Sequence, residues 1–240
     1  MAFGHGRKGR VLLARYDVSA YLQSYGGSAS LDLADVTTLT KNSKVFVVGP
    51  SEGKAQMSGF YDPASNAFND IVAALKAKTA EWPFMVAAAG YGSIGNRAYI
   101  GQGWLEGYEI AGSVGDAVTA KVDVHASDAA ELGVILADLS ARTANGNGTG
   151  VDDQGAASSN GGIATLHVTA FSGFTSVTVK VQHSTDNSTF ADLVTFTAVT
   201  GATEQLSTVA EATTVNRYLR ALWTVTGSGS ITFAVGFARR

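Results

Sequence analysis

The sequence predicts a mainly β protein with a single α-helix, on three observations. Charged residues make up only 15% of the 240 positions while 28 are glycine, a mix that favours strands and turns over long surface helices. Apolar residues recur at every second position in one segment after another: Val118, Ala120, Val122 and Val124 face away from Thr119, Lys121, Asp123 and His125, and Ile231, Phe233, Val235 and Phe237 make a second stripe. Only one stretch, residues 66–79, carries the 3.6-residue period of a helix, with Phe68, Ile71, Val72 and Leu75 on one face.

An apolar content of 45% over this length is ample for one large domain or two ordinary ones. No apolar run approaches the roughly 18 residues of a membrane span, and the opening residues lack the apolar centre of a secretory signal, so neither membrane insertion nor secretion is expected. With no cysteine, stability must come from packing or assembly. The net charge of -3 is unevenly laid out: residues 1–15 carry four basic side chains and no acid, residues 16–140 carry 14 acids against 7 Lys/Arg, and residues 141–240 balance 6 against 6. A basic arm (1–10, with Arg7, Lys8 and Arg10) therefore precedes an acidic body and a neutral tail unit. Being Gly-rich and cationic, the arm is expected to be extended in isolation and to dock on an acidic neighbour or stay solvated.

In chain order, residues 11–22 read as a strand kinked near Asp17, and 24–30 as a turn or flexible joint at Gly26-Gly27. Residues 31–43 form a long polar, Thr-rich loop, too polar for a core and not spaced like a catalytic motif, whose expected partner is another copy of the chain. Strands follow at 44–49 and 54–61, expected to pair as a hairpin about Gly49-Pro50. The helix begins after Pro63 with Ser65 or Asn66 as cap and ends by Trp82-Pro83. Segments 83–89, 97–110 and 116–126 are strand-like, and 128–140 reads as a short helix or, preferably, as a strand around Val134-Ile135-Leu136. Residues 141–162 are Gly, Asn, Ser and Asp with almost no apolar side chain, the composition of a flexible linker. Beyond it, six short strands (163–171, 176–183, 193–199, 205–209, 217–226 and 231–238) argue a small β-sandwich over 163–240.

The chemistry-bearing residues do not converge. GYGSIG at 90–95 matches a dinucleotide-binding fingerprint, but a strand pattern follows it where a helix N-terminus is needed, so it reads as a hairpin turn. His183-Ser184-Thr185-Asp186 groups three catalytic residue types within one polar turn, whereas a triad converges from distant segments. The four histidines are scattered, with no i, i+4 pair and no cysteine to join them. Glu106 and Glu109 are expected on opposite faces of their strand. No catalytic residue, metal site or cofactor is expected.

The stretch from Asp17 to Asp62 resembles the N-terminal pattern of major tail tube proteins of long-tailed, siphovirus-like bacteriophages. The matching residues are an aspartate and serine ahead of a strand (Asp17, Ser19), a D-x-T-T loop (Asp35, Thr37, Thr38), a lysine before an apolar strand (Lys44), and a glycine-punctuated segment ending in aspartate (Gly49, Gly53, Gly59, Asp62). The helix and the later GWLEGY segment are similar too, so the resemblance spans residues 10–140. It implies a tail-tube-type β-sandwich or barrel over 1–140, followed by a decorating sandwich, and a structural rather than enzymatic role. Subunits of that family form hexameric rings stacked into a tube whose inner β-barrel passes double-stranded DNA during ejection. The implied partners are further copies of the chain and other tail proteins (tape measure, tail terminator, distal tail), in a virion assembled from subunits made in the host cytoplasm. Residues 31–43 become the assembly loop, with Asp32, Asp35, Thr37, Thr38, Lys41 and Lys44 as contacts. Glu106 or Glu109 and Asp123 are candidates to line the lumen, where negative charge repels phosphate over roughly 8 Å at physiological salt. A one-residue slip of register would swap which carboxylate faces inward. The alternative is a binding module whose C-terminal sandwich recognises cell-surface glycan through Phe171, Phe174, Phe190 or Trp223.

Overall fold

A computed structural model describes residues 6–65, 67–88 and 90–240. In chain order the elements are β1 (Arg10–Leu13), β2 (Tyr16–Asp17), β3 (Leu22–Asp35), β4 (Phe46–Phe60), α1 (Phe68–Lys76), β5 (Trp82–Ala87), β6 (Arg97–Ala111) and β7 (Thr119–Arg142). Then come β8 (Gly146–Asn147), β9 (Val151–Asp152), β10 (Gly162–Ser184), β11 (Ala191–Thr195), β12 (Thr203–Val209) and β13 (Tyr218–Arg239). The expected class holds: the protein is mainly β with one helix among the described residues.

All of these strands belong to one hydrogen-bonded sheet whose main path runs β11-β10-β13-β7-β6-β5-β1-β2, with β4 branching off β7 and β3 pairing only with β4 among the described residues. The long β7 explains the continuity. Its first half, Thr119 to His125, lies between β4 and β6; its second half, Val134 to Arg142, pairs with β13. Between them the register to β6 slips from Gln102↔Ser127 to Ile100↔Glu131, and Asp128 adopts a left-handed φ of 59°, a bulge that bends the strand without breaking it. The two segments expected at 116–126 and 128–140 are therefore one strand.

Strands β10 and β13 behave alike. Each was expected as two short strands and runs through a bend marked by Gly173 and Gly227, at φ +78° and +91°. The segment 141–162, expected to be a flexible linker, carries β8 and β9, both paired to β13. It also supplies Asp153, buried against Arg239 (2.8 Å) and Arg97 (2.6 Å). Its polarity reflects ion pairing and turn chemistry, which composition cannot separate from flexibility.

Three apolar clusters fill the interior. Helix α1 presents Phe68, Ile71, Val72 and Leu75 to the cluster that holds Ala55, Met57, Val122 and Val124, covering one face of the β4-β7 region. The helix starts one residue past Ala67, which makes no side-chain capping bond, so the cap expected at Ser65 is not made; Asn66 lies outside the described residues. A second cluster fills the C-terminal half around Phe233 and Phe237. A third joins the halves through Leu12, Met85, Ile100, Ile135, Ile163 and Ala234. Polar groups cross the same junction, including the Lys78–Glu204 pair and fully buried His167, whose Nδ1 donates to the Ala14 carbonyl at 2.6 Å.

Burial holds the His167 imidazole neutral, lowering its pKa to about 4 against 6.5 for an ordinary histidine. Below pH 6.5 the unfolded chain binds a proton there that the folded chain refuses. Stability therefore falls as pH drops from about 6.5 towards about 4, by up to about 3 kcal/mol, and this contribution is flat above that window. In urea unfolding between about pH 4.5 and 7.5, His167→Gln is expected to flatten this part of the slope relative to the parent chain; parallel pH profiles would contradict it.

Candidate functional site

Two surfaces stand out, and both arise from how β3 and β4 leave the core. Over residues 54–60 strand β4 is flanked by β7, and the register Lys54↔His125, Gln56↔Asp123, Ser58↔Lys121 puts these polar side chains on one face. On that face β3 contributes Ser24, Ser28 and Ser30, each opposite a β4 residue. Strand β6 contributes Trp104, opposite His125, and Glu109, opposite Lys121. The result is a polar, solvent-facing four-stranded sheet, β3-β4-β7-β6, whose other face is covered by α1.

Glu106 and Glu109 share this face, against the opposite-face expectation. A bulge between Leu105 and Gly107 inserts Glu106 as an extra residue and reverses the alternation. The Glu106 carboxylate stands 3.7 Å from His125 Nδ1, and the other ring nitrogen stands 3.7 Å from Glu52. Asp123 pairs with Lys121 at 2.9 Å and Glu52 with Lys54 at 3.0 Å. The Lys54 and Lys121 ammonium groups are held above the ordinary lysine range, each chiefly by its hydrogen bond to the neighbouring carboxylate. The three lumen candidates are thus together, and sequence reading missed their companions Glu52, Lys54 and His125, for which the alternation of 54–58 and 119–125 was the available signal.

The second surface is the arm formed where β3 and β4 run on past their last pairing with β7, Lys54 opposite His125. The hairpin expected between 44–49 and 54–61 does not form; β4 continues through Gly49-Pro50, and its partner is β3. Pro50 is tolerated because it lies at a bulge, where Leu31↔Ser51 slips to Leu33↔Val48. The 24–30 segment expected as a joint is likewise strand, and the loop shrinks to 36–45. From Lys54 back to Phe46 the ribbon projects about 25 Å at ordinary strand rise.

The family-pattern residues have definite tasks here. The Thr37 hydroxyl donates to Asp35 Oδ1, and the Thr37 N–H donates to the same oxygen at 3.0 Å; together they hold the Asp35 carboxyl below the usual range. The same hydroxyl accepts the Val45 N–H at 2.9 Å, so this Asx turn also closes the tip. Lys44 lies 3.8 Å from Asp35 and over the Phe46 ring. Thr38 Oγ1 contacts Thr40 Oγ1, while Lys41 is exposed and Asp32 packs beside Gly49. At the base, Ser19 Oγ accepts the Val11 N–H at 2.9 Å and donates to Asp17. A Cβ on Gly59 would lie 1.9 Å from the Tyr21 carbonyl oxygen, so only glycine fits.

The arm is apolar on both faces. Leu33 and Val48 oppose each other on one side with Phe46, and Ala34, Val36, Val45 and Val47 lie on the other; Val48 is 63% and Val47 54% exposed. A two-stranded ribbon with no covering layer has nothing in its own chain to bury these groups against.

The basic arm takes a different form. Residues 1–5 lie outside the described residues; Arg7 and Lys8 sit in a short 3-10 turn, and Arg10 begins β1 and pairs with Asp17. From Gly6 onward this segment is folded rather than extended. GYGSIG is a turn between β5 and β6. Asp186 accepts bonds from the N–H groups of Thr189 and Ser188 and from Ser184 Oγ, which hold its carboxyl down to about 2, while His183 accepts the Asn216 N–H instead. Of the aromatic groups expected to contact glycan, Phe174 is buried and edge-on to Phe171, Trp223 packs against Phe233 and Arg142, and Phe190 lies under Arg220.

No protein family matches the chain, and no curated protein does. Among solved structures it is similar to a chain of the virion of a native gene transfer agent particle, at 14% identity over 54% of this chain and 98% of that one, TM-score 0.44. It is similar to the SPP1 Dit protein, described as a hub adsorption apparatus of phages infecting Gram-positive hosts, at 12% identity over 95% of this chain and 98% of that one, TM-score 0.40. A third likeness is to the SPP1 tail tube, at 13% identity over 53% of this chain and 78% of that one, TM-score 0.42.

Because the arm's side chains touch little of their own molecule, Val47→Ser with Val48→Ser is expected to leave unfolding of the isolated chain unchanged within about 0.5 kcal/mol. Gly59→Ala, by contrast, should lower stability by about 1–3 kcal/mol, because the strands must part. Urea unfolding of the two variants at low protein concentration checks both; an equal loss would mean the arm is packed on its own chain.

Proposed function

We propose that the protein is a structural subunit of a phage tail, assembling with copies of itself into rings stacked as a tube, with the polar β3-β4-β7-β6 face towards the lumen. The observation that carries this is the pairing of an uncovered apolar arm with a four-stranded sheet open at both edges. Among the described residues, strand β3 pairs only with β4, and residues 104–111 of β6 pair only with β7. Open edges of this length are a hazard to a free subunit and are removed when neighbours pair edge to edge in a closed ring. Hexameric symmetry comes from the family resemblance.

The lumen-facing side would carry Glu52, Glu106, Glu109 and Asp123 against Lys54 and Lys121. That excess of carboxylates suits a channel along which DNA slides without sticking, and screening confines the effect to roughly 8 Å. Residues 1–140 would build the ring and 163–240 decorate its exterior. Tape-measure, terminator and distal tail proteins would bind the ends of the tube, and the product would reside in the virion after synthesis in the host cytoplasm. No catalytic activity is assigned.

Electron microscopy of concentrated protein tests this directly: rings or tubes are expected, and a strict monomer at every concentration would overturn it. Deleting residues 33–42 should leave the core folded while abolishing tubes; long tubes from the deletion variant would remove the arm from the assembly mechanism.

A further inference from the structure

The tip of the arm has a counterpart at the other end of the same strands. Because β7 runs antiparallel to β4, with Phe60 opposite Thr119, the turn joining β6 to β7 lies at the end of the sheet remote from the arm. That end is also apolar and uncovered. Ile110 (49% exposed) stands on β6 leading into the turn and Val118 (40%) lies just ahead of β7, Phe60 (48%) is exposed on the polar side, and Val114 at the apex is fully exposed. The turn is held by the Asp116 N–H donating to the Ser113 carbonyl at 3.1 Å, so its side chains are presented by an ordered backbone.

The two ends are opposite in charge. At the arm tip Lys41 and Lys44 outnumber Asp35, which pairs with Lys44 at 3.8 Å, so the excess positive charge is at Lys41. At the other end Glu109 stands opposite Lys121, while Asp116 in the turn and Asp62 following β4 supply an excess of negative charge. Neither Lys41 nor Asp116 enters an ion pair among the described residues.

From this complementarity we infer that the arm tip of one copy docks on the β6–β7 turn of the next. Val36 and Leu39 supply the apolar groups, Ile110, Val114 and Val118 receive them, and Lys41 is directed at Asp116. The contact is heterologous, and because the arm tip and the receiving end lie at opposite ends of the same strands, each repeat displaces the next copy along the strand direction and builds an open stack. The inference rests on the tail-subunit reading and names the partner surface of the arm within it.

The absence of native cysteine makes the contact testable by disulfide trapping. Leu39→Cys and Val114→Cys chains, differently tagged, are mixed under assembling conditions and mildly oxidised. A crosslinked species joining the two variants is expected, with each variant alone giving little. A tip-to-tip Leu39→Cys dimer as the main product, or no mixed crosslink although rings or tubes are visible by microscopy, would overturn the docking surface and leave the tail-subunit reading standing. A chain that neither crosslinks nor assembles would overturn both.

Charge reversal supplies an independent test. Lys41→Glu should weaken self-association about fivefold, the scale of one exposed ion pair, and adding Asp116→Lys should restore it. Loss without restoration would place the partner of Lys41 elsewhere and overturn the pairing.

Discussion

The structure depends on β7 keeping its backbone hydrogen bonds while it changes neighbours. A buried strand cannot leave its N–H and C=O groups unpaired, so a 24-residue strand must have partners along its length. No single strand supplies them: β4 serves its first half, β13 its second, and β6 spans the exchange. The bulge at Asp128 is where the change is made, and the Asp128 carboxylate is anchored by Arg240 at the end of the sequence. This sharing is why the N-terminal and C-terminal halves form one sheet. It is also why residues 119–125 alternate polar and apolar, with one face in solvent, while Val134 to Ala137 are buried on both sides.

Everything that projects follows from where β7 stops supporting β4. From Lys54 back towards Phe46 the β3–β4 ribbon has no third strand, and the helix covers only the part of β4 that β7 also holds. The tip is kept in shape by the Asp35–Thr37–Val45 bonds, which are local and need no core. Lys41 and Lys44 at the tip oppose indiscriminate edge pairing, as charges on exposed strands commonly do. In the proposed assembly this shaped, charged tip on an apolar stem would be a contact surface prepared in advance of its partner.

The sequence was most readable where side-chain pattern and backbone geometry carry the same information. The stripe of Phe68, Ile71, Val72 and Leu75 located the helix, and strict alternation located the polar face of β7. It was least readable where one residue resets the count. The bulge at Glu106 put two carboxylates on one face that simple alternation separates, and the bulge at Pro50 let a strand pass through a proline that otherwise announces a turn. Residues 141–162 misled for a different reason: Asp153 is buried through bonds to Arg97 and Arg239, partners 56 and 86 positions away, and no local composition records them. The D-x-T-T residues were recognisable as a motif, but their action as a clamp on Val45 needed the geometry.

Within the proposed assembly the two kinds of contact have different fates. Lateral pairing of the β3 edge with the β6 edge is satisfied once a ring closes, since closure leaves no unpaired backbone and so fixes its own stopping point. The arm contact leaves the stack open, because one terminal copy always presents an empty receiving end and the other a free arm. Repetition of a heterologous contact whose two surfaces lie at opposite ends of the subunit has no internal stopping point. Rings could therefore be specified by the subunit alone, whereas a defined tube length requires a component outside it, one that caps the exposed apolar tips or spans the lumen. The side chains left bare at Leu33, Val47 and Val48 give such a cap something to bind, and the carboxylate-rich inner face limits what a lumen-spanning component could carry on its surface.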